Sequence, residues 1–258
     1  MPYTAVATSK TPALIIYLLD VSGSMGSNDV QLADGGTATR ISVVLKALED
    51  VATAMVGRST RGTLIQPRYK VAIYAYASQV YDVLQGVKTV TEFAQMGVPT
   101  LTTMDTTNTE AAFLAAESLL QSEVANLPAG SPAPLVCHMT DGEINAGGDP
   151  APIAERIKTL AVPDGNALIE NIYIGPNLLR HPTADPKSWV GLTAAAELTT
   201  DYAKRLFEMS SPIPESYRNL MSEMGYHGLQ DGARMMFAGN DEKLIEMAFA
   251  MSGVTPTK

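Results

Sequence analysis

Asp20, Ser22 and Ser24 put three oxygen-bearing side chains within five residues, in the stretch ALIIYLLDVSGSMGS of residues 13–27. Gly23 between the serines permits a sharp turn. Two further segments carry the same chemistry: a threonine-rich loop with Thr106, Thr107 and Thr109, and Asp141 in the stretch APLVCHMTDGE. Together they offer hydroxyls and carboxylates without imidazole or thiolate. That is the preference of a hard cation such as magnesium, manganese or calcium, and it disfavours zinc. Magnesium keeps waters readily, so a site built from a few hydroxyls and two acids can leave one coordination position open. Taken alone, Asp20-x-Ser22-x-Ser24 is equally a turn whose side chains cap backbone groups, and Asp141-Gly142 alone is a loop.

These segments need elements that bring them together. Ala13 to Leu19 is continuously apolar, the mark of a strand covered on both faces in a parallel sheet. From Ile41 the apolar positions 41, 44, 45, 48, 51, 52 and 55 follow one helical face, and Gly57 marks the expected stop. Between them, residues 26–40 read as a polar, glycine-containing loop. YKVAIYAYAS, residues 69–78, is a second strand, and Tyr81 to Val87 a third, antiparallel to it. A helix follows the threonine loop and stops at Pro128 to Pro134. APLVCHMT is the fourth strand, and Asp149-Pro150 opens a helix to about Leu160. ALIENIYIGP is the fifth strand, residues 184–230 are helical segments broken at Pro212 and Pro214, residues 233–239 hold a sixth strand, and Asp241 caps a last helix to about Met251. Strands alternating with helices predict an α/β domain with helices on both faces, and in such sheets sites form beyond the carboxyl ends of the strands. Asp20 and Asp141 both fall there.

Composition narrows the function. With 258 residues, 46% of them hydrophobic, the chain supports a large core and reads as one domain over residues 1–258. A formal charge of -9 without clustered Lys or Arg argues against a nucleic-acid partner and suits a cation or a basic partner. The single cysteine, Cys137, precludes an internal disulfide and fits a reducing compartment. The first residues lack a signal-peptide pattern, and no apolar run approaches the ~18 to 20 residues a membrane span requires. The expectation is a cytoplasmic, soluble protein.

D-V-S-G-S at 20–24, T-N-T at 107–109 and T-D-G-E at 140–143 resemble the metal-ion-dependent adhesion site of von Willebrand factor type A domains, in that family's order and strand context. The resemblance covers roughly residues 12–250. It implies a Rossmann-like three-layer αβα fold, with a mostly parallel six-stranded sheet in the order 3-2-1-4-5-6 and an antiparallel third strand. It further implies Mg²⁺ held by the hydroxyls of Ser22, Ser24 and Thr107 and by Asp20 and Asp141, directly or through water. A partner's Asp or Glu would take the sixth position. Intracellular members of the family often work with ATPases or in assembly systems. Asp105 is placed to support the ligands, and the insert at 26–40 to border them.

Other readings sit beside this one. Thr106 and Thr109 compete with Thr107 for the ligand role. His138 is expected to be a core histidine, His181 and His227 have no partners at ligand spacing, and Glu143 is a solvated loop acid. Seven of the thirteen methionines fall between Met209 and Met251 and are expected to fill core. Asp20 at the end of a first strand also invites phosphoryl transfer, as in haloacid-dehalogenase-like phosphatases. Those carry D-x-D, however, and Ser22 stands where the second acid should be. A metal-independent scaffold is the remaining alternative. A nucleotide-binding fold lacks its glycine motifs here.

Overall fold

A computed structural model describes residues 3–32, 34–104, 106–142, 146–175, 185–239 and 242–252. Its centre is the first strand, β1 (Ala13–Asp20), in which all eight residues are buried. β1 pairs in parallel with β2 (Tyr69–Tyr76) along its whole length, from Ala13 opposite Tyr69 to Asp20 opposite Tyr76. On its other side it pairs in parallel with β4 (Leu135–Thr140), Ile15 lying opposite Leu135. β3 (Val80–Asp82) is antiparallel to β2, while β5 (Leu168–Tyr173) and β6 (Met236–Ala238) extend the parallel sheet beyond β4. The spatial order is therefore 3-2-1-4-5-6 with one antiparallel edge, as the resemblance implied.

Helices cover both faces. On one lie α1 (Arg40–Ser59), α2 (Val90–Met96) and, after α6 (Glu215–Glu223), α7 (Glu242–Ser252); on the other lie α3 (Thr109–Val124), α4 (Ala151–Ile157) and α5 (Asp201–Met209). Tyr17 of β1 stacks on Phe249 of α7 at 6.2 Å, and His138 of β4 meets the edge of Phe113 of α3 at 5.0 Å. Six of the seven methionines between Met209 and Met251 are buried; Met224 is exposed. No helix among the described residues is long and apolar enough to cross a membrane.

Local departures from expectation have local causes. α1 runs through Gly57 to Ser59, because a glycine in an exposed turn costs only about 1 kcal/mol while Ser59 beyond it is buried. Residues 26–40 form no simple loop: Asn28–Gln31 and Thr37–Thr39 pair as an antiparallel hairpin, anchored by buried Val30. The expected strand from Tyr81 to Val87 stops at Asp82. Gln85 and Gly86 turn through positive φ, and Lys88–Thr89 then rejoins β2 at Val71 and Lys70. Asp149 does open α4, its carboxylate accepting the Ala151 N–H at 3.0 Å. The expected cap at Asp241 lies outside the described residues.

β5 carries an acid into the core. Glu170 is fully buried opposite Cys137, and among the described residues neither of its carboxyl oxygens has a hydrogen-bond partner stronger than that weakly donating thiol. Burial pushes this carboxyl up to about 8, against the opposing pull of the Cys137 thiol. Folding therefore favours the protonated form. The stability linked to Glu170 is fully present below the ordinary carboxyl range and is lost as pH rises toward and through 8. Glu170→Gln, neutral at every pH, is expected to match wild type near pH 4.5 and to unfold at a higher temperature above pH 8. Thermal midpoints measured across that range check this, and parallel curves for the two proteins would refute it.

Candidate functional site

The site is built at the carboxyl end of the sheet because β1 ends there on Asp20 and β4 is followed at once by Asp141. Asp20 is wholly buried, and its carboxylate is held from two elements: Oδ1 accepts the Ser22 N–H at 2.8 Å and Oδ2 accepts the Thr140 hydroxyl at 2.7 Å. The turn-capping reading is thus true of Asp20 without exhausting it, since a carboxylate has more lone pairs than these two bonds use. Burial pushes the Asp20 carboxyl up to about 6, against the bonds from Ser22 and Thr140 and with added repulsion from Asp141.

Beyond Asp20 a short 3-10 turn, Gly23–Gly26, is pinned by buried Met25. It brings the Ser22 and Ser24 hydroxyl oxygens to 3.1 Å of each other. The threonine loop lies alongside: Met104 N–H donates to the Val21 carbonyl at 2.6 Å, and Asn108 N–H to the Ala77 carbonyl at 2.8 Å. Asn108 caps α3 by accepting the Ala111 N–H. Between these anchors, Thr107 is buried, its hydroxyl oxygen has no hydrogen-bond partner among the described residues, and its carbonyl accepts the Ala146 N–H from the loop after β4. Thr109 is also buried with a hydroxyl unpartnered among the described residues, but it is the first residue of α3. Thr106 is half-buried.

Asp141 is 4% exposed, and its two oxygens have different fates. Oδ2 accepts from Arg40 Nη1 at 2.8 Å, while Oδ1 is buried without a partner among the described residues. Gly142 makes this turn possible. Its φ is +106°, its N–H donates to Thr140 Oγ1, and a Cβ on it would sit 2.2 Å from the Tyr173 ring. Asp105, Glu143 and His181 lie outside the described residues.

Beneath the acids runs a closed polar network. His138 is fully buried, with Nε2 2.6 Å from the Tyr76 hydroxyl and Nδ1 2.7 Å from Asn171 Oδ1. Asn171 spends its amide hydrogens on Ser210 Oγ and the Leu206 carbonyl of α5, so its oxygen accepts, and His138 carries its proton on Nδ1. Burial holds this imidazole down to about 4 although the Asn171 bond favours its charged form. His138 is the core histidine expected, and neither ring nitrogen is free for proton transfer.

Sequence reasoning overlooked Arg40. It is the first residue of α1, and its Nε and Nη2 grip both oxygens of Asp29 in the insert hairpin at 2.9 and 2.5 Å while Nη1 holds Asp141. A signal was present: a cation opposes the helix dipole at this position, so an arginine there points to nearby acids. Thr140, inside the quoted T-D-G-E, was likewise given no role, yet it positions Asp20.

The arrangement suits a hard cation. Buried polar oxygens are normally paired, and among the described residues Thr107 Oγ1 and Asp141 Oδ1 are not; the same end of the sheet carries the Ser22 and Ser24 hydroxyls and the buried Asp20. Among the described residues no three His, Cys, Asp or Glu side chains gather, so the donors offered are mainly hydroxyls.

Gly142→Ala is expected to cost roughly 1 to 3 kcal/mol through backbone strain alone, with the clash against Tyr173 adding to it. Gly57→Ala, on the exposed face of α1 with nothing within 4 Å of the new methyl, is expected to gain roughly 0.4 to 1 kcal/mol. Urea unfolding of both variants gives the comparison, and equal effects would contradict this account of the turn.

The sequence matches the von Willebrand factor type A domain over residues 15–143, half of the 258-residue chain. No curated protein matches it. Among solved structures, proximal thread matrix protein 1 from the mussel byssus aligns with a TM-score of 0.53 at 14% identity, covering 93% of this chain and 47% of that one. The same protein with a zinc-occupied MIDAS motif aligns with a TM-score of 0.51, again at 14% identity, 93% and 47%. The D319A mutant of the PilB minor pilin from Streptococcus sanguinis gives 0.53 at 12% identity, covering 93% of this chain and 60% of the pilin. The chain thus spans about half the length of the mussel protein and three fifths of the pilin, and at these identities the likeness is one of fold. With the family match over half its length and the sheet order that the family's motif implied, this chain belongs to the von Willebrand factor type A domain family.

Proposed function

We propose that the chain is a metal-dependent protein-interaction module. Mg²⁺, or Mn²⁺ or Ca²⁺ in its place, would be held by the hydroxyls of Ser22, Ser24 and Thr107 and by Asp20 and Asp141, directly or through water. The cation supplies a positive centre able to capture a carboxylate, and a partner's Asp or Glu is the group it would take. The observation that carries this reading is that Thr107 Oγ1 and Asp141 Oδ1 are buried and unpartnered among the described residues, at the same end of the sheet as the paired Ser22 and Ser24 hydroxyls. The chain's own part is to keep the donors in place: Thr140 and the Ser22 N–H orient Asp20, Arg40 orients Asp141, and Asn108 fixes the loop that carries Thr107.

Phosphoryl transfer from Asp20 gains no support, because Ser22 replaces the second acid and His138 is bonded at both nitrogens. For the compartment we propose the cytoplasm, with which the free, buried thiol of Cys137 is compatible.

Titration calorimetry with Mg²⁺ and Mn²⁺ on wild type, Asp20→Ala and Thr107→Ala tests the reading, with Zn²⁺ as a further titrant because the mussel relative holds zinc. Wild type is expected to bind, and each variant to lose at least about tenfold in affinity, the usual scale for disturbing a metal's supporting groups. Negligible, equal heats for all three proteins would end the proposal. The pH dependence has a definite sign. The cation needs Asp20 as a carboxylate, and burial pushes that carboxyl up to about 6, so affinity rises with pH through this value. About tenfold weaker binding is expected at pH 5 than at pH 7.5.

A further inference from the structure

Arg40 is placed against its helix and yet is firmly held. It sits at the positive end of α1, its side chain is 13% exposed, and it joins two acids that belong to different elements. Its fork faces Asp29 in the hairpin, and its remaining nitrogen faces Asp141 Oδ2. The Asp141 side chain is 1% exposed and Asp29's is 32% exposed, so the arginine links the interior of the site to its rim. Asp20 and Asp141 together bring two negative charges to the donor set. Arg40 offsets one of them, and Asp29 in turn offsets Arg40.

We infer that Arg40 sets the charge of the metal centre and that Asp29, carried by the insert hairpin, regulates how much of that charge the centre feels. The inference rests on the metal reading above. Coulomb's law gives the directions. A guanidinium on the far oxygen of Asp141 repels a cation held at the near one, so Arg40 weakens cation binding. It also leaves a bound cation more positive toward an arriving carboxylate. Asp29 acts in the opposite sense, because its negative charge screens the arginine. Arg40 is then a tuning and positioning residue, and the hairpin becomes part of the site's chemistry.

The two acids around Arg40 make the test one of sign. Mn²⁺ alone is titrated into wild type, Arg40→Gln, Arg40→Lys and Asp29→Asn, with circular dichroism confirming the fold of each. Arg40→Gln is expected to bind Mn²⁺ about tenfold more tightly and Asp29→Asn severalfold more weakly, the reach of one charge at this range in a partly screened site. Arg40→Lys keeps a positive charge but not the fork on Asp29, and is expected to bind Mn²⁺ less tightly than Arg40→Gln. Acetate added to the Mn²⁺-loaded proteins is expected to reverse the order, binding more weakly to Arg40→Gln and more strongly to Asp29→Asn.

A purely structural role for Arg40 predicts weaker Mn²⁺ binding in Arg40→Gln and in Asp29→Asn alike, and that result overturns the inference. If Arg40→Gln does not fold, Asp29→Asn against wild type still decides it: equal Mn²⁺ affinities, or acetate binding to loaded Asp29→Asn no stronger than to wild type, refute the role. Wild-type binding abolished by Asp20→Ala but unmoved by every Arg40 and Asp29 change overturns this inference alone. Failure of wild type to bind Mn²⁺ overturns it together with the metal reading.

Discussion

The burial of β1 on both faces is the constraint from which the site follows. Eight successive residues without access to water, hydrogen-bonded to a strand on either side, leave the chain no register in which to slip. Asp20 is the last of the eight, so the sheet delivers a carboxylate to a place where bulk water cannot solvate it. An isolated buried charge would be prohibitively costly. The protein meets this with the Ser22 N–H from the following turn and the Thr140 hydroxyl from β4, and the second bond requires the neighbouring strand to end at the same level. Sheet register and site geometry are therefore one structural fact.

What lies below the acids stiffens them. Asp20, Tyr76, His138, Thr140 and Asn171 share one face of the sheet, by the alternation of strand side chains. The chain of bonds from Tyr76 through His138 and Asn171 to Ser210 leaves each member with a partner. Buried networks of this kind hold a unique arrangement when every member is satisfied. On the opposite face Glu170 has no such support, and the neutral form of its carboxyl is what the core tolerates. The two faces of the same strand pair thus treat polar groups in contrasting ways, one by pairing and one by protonation.

The principal strands and the acids at their ends were legible in the sequence, because continuous apolar runs have few alternatives to a doubly covered strand and an acid ending such a run stands out; the sheet order came only with the family resemblance. The insert hairpin was not legible. Its strands are short, largely exposed and held by one buried side chain, Val30, so no periodicity announces them. The break in the third strand depends on Gln85 adopting positive φ ahead of Gly86, a local choice that composition does not foretell. Gly57 misled because a stop signal matters only where nothing beyond it needs burying. The pairing of Arg40 with Asp141 spans 101 positions and with Asp29 eleven, and partner choice at such separation belongs to the fold.

At the other end of the sheet, Asp164 sits in the hairpin that precedes β5 and gathers the chain's beginning. One carboxylate oxygen accepts the N–H groups of Thr4 and Ala5, the other that of Ala133, and Ser216 closes on the Tyr3 carbonyl. Residues 3–5 are thereby moored at the amino ends of the parallel strands, away from Asp20 at their carboxyl ends. A fluorophore or surface linker attached at exposed Thr4 would leave from the underside of the molecule, so immobilising the protein that way keeps the upper loops open to whatever is flowed across them.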